Sequence, residues 1–285
     1  MTTNTHNATS HDATTSETPA IPADIAGASD HREHADTPGS LPVPPPIVVR
    51  DSVIAQEIDL IVNMVVRNGA CGLINGPIGI GKTTAAADSA TRLNCQPVYI
   101  NMFGTTTLRD QMNTIWEAMT GTKGSGTAPV IRDQILDTLK RRPMTLLIDD
   151  AHHLHYSART SSLSIYDQIY ASRRHGTPIV LIGNNVESHL KQRLPELLGR
   201  SGAKCELAPL AGEKLARFVL AMEPRIAGTD HSTLRHIDNH HFHGDLRRWR
   251  QFFEMVFLVR TSEAPAPLTD DEIQRVIRFI PASTR

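Results

Sequence analysis

The run Gly76-Pro77-Ile78-Gly79-Ile80-Gly81-Lys82-Thr83 has the spacing G-x-x-x-x-G-K-[ST], and it constrains the fold more than any other stretch. Its glycines let the backbone curl so that successive N–H groups face one anion, and a helix starting directly afterwards adds its positive dipole end. The flanks supply that frame. Ala70-Cys71-Gly72-Leu73-Ile74-Asn75 reads as a short buried strand leading in, and Thr84-Ala85-Ala86-Ala87-Asp88-Ser89-Ala90 as the helix leading out. The expected phosphate cradle is Gly76, Pro77, Ile78, Gly79, Ile80, Gly81, Lys82, Thr83 and Thr84, with Lys82 on the β/γ-phosphates and the Thr83 hydroxyl a ligand for Mg²⁺.

A second element points from binding to hydrolysis. Met144-Thr145-Leu146-Leu147-Ile148 is an apolar run the length of a buried parallel strand, and it ends in Asp149-Asp150. A carboxylate at such a tip can hold the Mg²⁺ water shell, the Walker B task, here assigned to Asp149. Asp150 is then placed to orient or deprotonate the attacking water, with an acidic N-cap for the next helix as the alternative. A further apolar run, Pro178-Ile179-Val180-Leu181-Ile182-Gly183, ends in Asn184-Asn185. Asn184 at that tip could hold the attacking water; an ordinary Asn-rich turn is the plainer reading.

Between these motifs helix and strand patterns alternate. Helices are expected over Asp51 to Val66, Leu108 to Met119, Ile131 to Leu139 and Leu163 to Arg174, and a strand over Pro97 to Asn101. Strands separated by helices imply right-handed crossovers and a parallel sheet. Residues 211–285 read as a helical lid with helices over Lys214 to Met222, Leu246 to Val259 and Asp270 to Ile280, the last opened by a capping box of Thr269 and Glu272. The clusters His152, His153, His155 and His236, His240, His241, His243 lack a Cys or carboxylate at ligand spacing, and a packing or polar-turn role is preferred to zinc.

Charge sets the N-terminal part of the chain apart. The 285 residues carry a net charge of −1, but residues 1–46 hold Arg32 against six acidic side chains, a net of −5 that leaves residues 47–285 at +4. Residues 1–46 are poor in large apolar side chains and end in a proline run, and are expected to be disordered. Cys71, Cys95 and Cys205 follow no disulfide or metal spacing, no apolar run nears the roughly 20 residues needed to span a bilayer, and a secretory leader is lacking; a cytoplasmic location follows as the expectation.

Leu146-Leu147-Ile148-Asp149-Asp150-Ala151-His152-His153-Leu154 and Pro178-Ile179-Val180-Leu181-Ile182-Gly183-Asn184, taken with the glycine loop, resemble the AAA+ ATPases over about residues 47–260. They are most similar to the branch containing transposition regulators (TniB, TnsC and the phage Mu B protein) and ExeA-type secretion ATPases. The resemblance implies an α/β P-loop core over 47–210, a small helical lid over 211–285, and ATP with Mg²⁺ as cofactors. It also implies a homo-oligomeric ring or filament. Arg200 matches the place of an arginine finger, with Arg193 competing, and Arg247 in His243-Gly244-Asp245-Leu246-Arg247 matches the lid arginine that contacts nucleotide. The family carries Glu where this chain has Asp150, which makes slow turnover an expectation. The implied function is ATP-dependent binding of duplex DNA with regulation of a transposase; the alternative is protein remodelling of the secretion-factor or helicase-loader type. Arg109, Lys123, Arg173 and Arg174 are the expected DNA contacts.

Overall fold

The computed structural model describes residues 49–93, 96–105, 107–154, 165–173, 175–260 and 264–280. The chain divides into Met1–Pro44 and Pro45–Arg285. The acidic tail, Cys95, His155 and Arg174 lie outside the described residues.

Helix α1 (Val53–Asn68) starts where the Ser52 hydroxyl accepts the Ala55 N–H, and it stops at Gly69, whose φ of 58° suits a residue without Cβ. The order then runs β1 (Cys71–Asn75), α2 (Lys82–Arg92), β2 (Gln96–Asn101), α3 (Leu108–Thr120), α4 (Ala128–Arg141) and β3 (Met144–Asp149). After β3 come α5 (Ile165–Tyr170), β4 (Ile179–Gly183), α6 (Val186–Arg193), α7 (Pro195–Gly199) and β5 (Ser201–Glu206). The last part is helical: α8 (Gly212–Met222), α9 (His231–Ile237), α10 (Leu246–Val259) and α11 (Asp270–Ile277).

The strands form one parallel sheet in the order β2-β3-β4-β1-β5. Because side chains alternate along a strand, each central strand feeds two cores. Ile74, Leu147, Val180 and Ile182 join α1, α2 and the C-terminal helices on one face. Cys71, Leu73, Leu146, Ile148, Ile179 and Leu181 join α3, α4, α5, α6 and α7 on the other. Burial on both faces explains why β1, β3 and β4 appear in sequence as unbroken apolar runs. It also accounts for Cys71, which is wholly buried and whose thiol is pushed up to about 12 by burial, then by the charge of Asp167.

The C-terminal helices share the first core. Trp249 and Phe252 on α10 are fully buried and meet Phe242 edge to face or tilted. Between α9 and α10, where a polar turn was expected, residues 238–242 form one π-helical turn. Its Asp238 is 3% exposed and accepts the Gly244 N–H (2.8 Å) and the Trp249 Nε1–H (3.1 Å), so this buried carboxylate pins the entry to α10. The expected capping box at Thr269 is present in both directions. Among the described residues no helix is long and apolar enough to cross a membrane.

Candidate nucleotide site

The strand order gathers the motifs. In a parallel sheet every C-terminal strand tip lies on one edge, where ligands of such sheets bind. Here that edge carries Asn75 of β1, Asp149 of β3, Gly183 of β4 and Glu206 of β5. With β4 lying between β1 and β3, Asn184 at its tip falls between the glycine loop and the Asp149 strand.

The loop leaves β1 at Gly76 and enters α2 at Lys82. Gly79 (φ 85°) and Gly81 (φ 86°) take left-handed backbone conformations, which lets the chain fold around an anion at the helix start. Ile80 is buried and anchors the loop, while Ile78 is exposed. Lys82 is 7% exposed, and its Nζ donates to the loop's own carbonyls, Gly76 O at 2.8 Å and Pro77 O at 2.6 Å. Burial lowers its pKa; Asp149 and Asp150 oppose that shift, and Arg247 adds to it. A buried ammonium between neutral carbonyls is poised to exchange them for phosphate oxygens.

Thr83 and Asp149 meet as the motif requires. The Thr83 hydroxyl donates to Asp149 Oδ2 at 2.6 Å, and Asp149 Oδ1 accepts the Asp150 N–H at 2.9 Å. A third donor, unnoticed in the sequence, is Tyr99 of β2, whose hydroxyl reaches the same Oδ2 at 2.9 Å. Burial first, then the Asp149 charge, pushes the Tyr99 phenol up, so it stays a proton donor. An oxygen-only pair of hydroxyl and carboxylate fits Mg²⁺, a hard cation. Thr83 and Asp149 are the residues that would hold it.

Asp150 sits at φ 52°, ψ 39°, in the left-handed region that Asp tolerates better than most residues. It opens a 3₁₀ turn over Ala151–His153 but makes no side-chain cap, so the N-cap alternative is not realised. Its carboxylate has no hydrogen-bond partner among the described residues. The chain beyond it is fixed through backbone: Gln111, fully buried, donates to His153 O at 2.7 Å and accepts the Tyr166 hydroxyl at 2.5 Å. His152 packs tilted against His153, and burial lowers its pKa.

Asn75 ties the neighbouring tips together. Its Oδ1 accepts the Val186 N–H at the start of α6 (3.0 Å) and its Nδ2 donates to Glu206 at 2.6 Å, which holds the Asn184-Asn185 turn against β1. The C-terminal helices close on the loop from above α2. Leu246 N–H donates to Gly79 O at 2.9 Å, and a Cβ on Gly79 would collide with the Asp245 carboxylate. The start of α10, with Arg247, therefore lies beside the phosphate cradle. The neighbouring Arg248 has a side chain only 15% exposed and donates to His241 O at 2.7 Å.

None of the other expected residues is hydrogen-bonded to this cluster among the described residues. Arg200 pairs through Nε with Asp167 Oδ1 at 2.9 Å, a side chain with no exposure, and lies over the Tyr170 ring. Arg193 is exposed and has no ion-pair partner among the described residues. Arg109 follows the C-terminal end of β2, whereas Arg173 precedes the N-terminal end of β4, so these two lie at opposite edges of the sheet. Lys123 is exposed in the loop between α3 and α4.

Comparison with known proteins agrees with this geometry. Residues 66–194 match the family described as AAA domain. The structure of the Aeropyrum pernix ORC2 protein in ADPNP-ADP complexes is similar with a TM-score of 0.59 at 18% identity, over 84% of this chain and 70% of that one. The chain has a P-loop AAA+ fold. The crystal structure of CDC6P from Pyrobaculum aerophilum is similar in fold, with a TM-score of 0.60 at 14% identity, covering 86% of this chain and 70% of that one. Drosophila ORC bound to DNA gives a TM-score of 0.54 at 16% identity over 86% and 71%. No curated protein matches the sequence. The AAA+ frame accounts for the parallel sheet and the helices that follow it.

Proposed function

We propose that this chain binds and hydrolyses ATP with Mg²⁺, assembles into a homo-oligomer in its ATP state, and binds duplex DNA to regulate transposition through target selection and transposase activation. One observation carries the nucleotide part: the Thr83 hydroxyl and the Asp149 carboxylate meet at 2.6 Å beside the buried Lys82. In this reading Lys82 binds the β/γ-phosphates, Asp150 takes the proton of the attacking water, and Asn184 orients that water. Arg247 pairs with phosphate from the lid, which we assign to 211–285 beside a core of 47–210. Mg²⁺, held by Thr83 and Asp149, supplies charge neutralisation at the phosphates.

Support for DNA comes from the +4 charge of residues 47–285 and from the relative solved bound to DNA. The transposition role rests on the likeness of the 146–154 and 178–184 segments to transposition regulators. Since Arg109 and Arg173 lie at opposite edges of the sheet, they belong to separate candidate contact sets. The test is fluorescence anisotropy on random duplex DNA with a non-hydrolysable ATP analogue at low salt. We expect ATP-dependent binding with weak sequence preference whose affinity falls steeply with salt. Absence of binding there would favour protein remodelling.

An in-trans arginine is part of this proposal, and the two candidates differ in what their loss does to the fold. Arg200→Ala removes the ion pair of a buried carboxylate and should cost about 2 kcal/mol, allowing for the partial exposure of the arginine. Arg193→Ala should stay within about 0.5 kcal/mol of the parent. Urea denaturation reads both. If Arg193 is the finger, Arg193→Ala mixed with Asp150→Asn should regain ATPase activity, because one mixed interface carries both intact groups.

A further inference from the structure

We propose that Tyr99 is a positioning residue of the cation site, acting through Asp149; this rests on the nucleotide reading above. Asp149 is held by three donors: the Asp150 N–H on Oδ1, and the hydroxyls of Thr83 and Tyr99 on Oδ2. The first two come from the motifs themselves. Tyr99 comes from the edge strand β2 and has no place in either motif.

Register and alternation put it there. Tyr99 pairs with Leu147, and Asn101 with Asp149. Val98 and Ile100 point into the core under α3 and α4, so Tyr99 points to the opposite face, where Leu147 packs in the core shared with α1 and α2. Asp149, two residues beyond Leu147, projects to that same face. A ring is long enough to reach one pair diagonally along the strands, and the phenol then presents its polar end to the carboxylate. At 45% exposure, Tyr99 contributes little to core burial, and the 2.9 Å hydrogen bond is the interaction that sets its orientation.

The consequence is chemical. With one oxygen accepting a backbone N–H and the other two hydroxyls, Asp149 has a single orientation in which Oδ2 faces the Thr83 oxygen. Removing one hydroxyl frees the carboxylate to rotate about its Cβ–Cγ bond and raises the cost of ordering it around a cation. Partners that orient a metal-binding group in this way typically change metal affinity 10- to 100-fold when lost. For a half-exposed phenol with two other donors remaining we expect the lower end.

The experiment titrates Mg²⁺ into the 285-residue chain with a fluorescent, non-hydrolysable ATP analogue and reads binding rather than turnover. Tyr99→Phe should raise the Mg²⁺ concentration for half-maximal enhancement about 10-fold. Its affinity for the analogue in EDTA should equal that of the parent, which also shows that the variant is folded. In an Asp149→Asn background Tyr99→Phe should have no further effect, because its route runs through the carboxylate. An unchanged Mg²⁺ midpoint in Tyr99→Phe, or an equal shift in the presence and absence of Asp149→Asn, overturns the inference while leaving the nucleotide site intact. A parent protein that shows no Mg²⁺-enhanced binding at all overturns the nucleotide reading and this inference with it.

Discussion

Lys82→Ala is expected to lower ATP affinity by about 100-fold, because the phosphate charge loses the one cation inside the loop. The geometry explains the size. Lys82 is nearly inaccessible and already desolvated, held by two carbonyls of its own loop, so its ammonium can be transferred to phosphate oxygens without a further burial cost. Loop glycines and the α2 terminus remain in the variant and should retain weak anion binding. Titration with a fluorescent ATP analogue checks the expectation. Unchanged affinity would mean that nucleotide is not bound in this loop.

Asp150→Asn is expected to slow hydrolysis by about 100-fold or more while ATP affinity changes less than about 3-fold. The amide fills the same space and keeps the backbone at φ 52°, a conformation that Asn also tolerates. It cannot accept the proton of the attacking water. Asp149→Asn should differ in kind, weakening Mg²⁺ dependence first, because its carboxylate meets the Thr83 hydroxyl. Phosphate release under saturating ATP separates the two. A parent-like rate in Asp150→Asn would move the base to another residue.

The parts of this site that could be read from sequence are those governed by local rules. A glycine loop that needs left-handed backbone at fixed positions shows its spacing directly, and β1, β3 and β4 show themselves because both faces of each strand are buried. Strand β5 stayed hidden. Ser201-Gly202-Ala203-Lys204-Cys205-Glu206 has no apolar run, and it is a strand because an edge of the sheet pairs with it beside β1. The short helices α6, α7 and α9 were missed for a related reason, since each is too short to show a period.

Long-range pairings were invisible for a different reason. That Arg200 meets Asp167, that Tyr99 meets Asp149, and that Asp245 rests on Gly79 all depend on register and on how helices close over the sheet. The Arg200 case matters most for interpretation. A residue suited by sequence to reach a neighbouring subunit is tied within its own chain, and a loss of activity in its alanine variant would report the fold as well as any interface. The Asp150 case ran the other way. Sequence left it between cap and base, and the structure shows no side-chain capping hydrogen bond from it among the described residues.

The strand tips are proposed to form one Mg²⁺-dependent ATP site. Calorimetric titration of the 285-residue chain with a non-hydrolysable ATP analogue, run in Mg²⁺ and again in EDTA, tests it most directly. Saturable binding to one site per chain is expected, at least about 10-fold tighter with Mg²⁺ than without, with the Mg²⁺ advantage lost in Asp149→Asn. Binding that is absent, or equally tight in EDTA and in Mg²⁺, would contradict it.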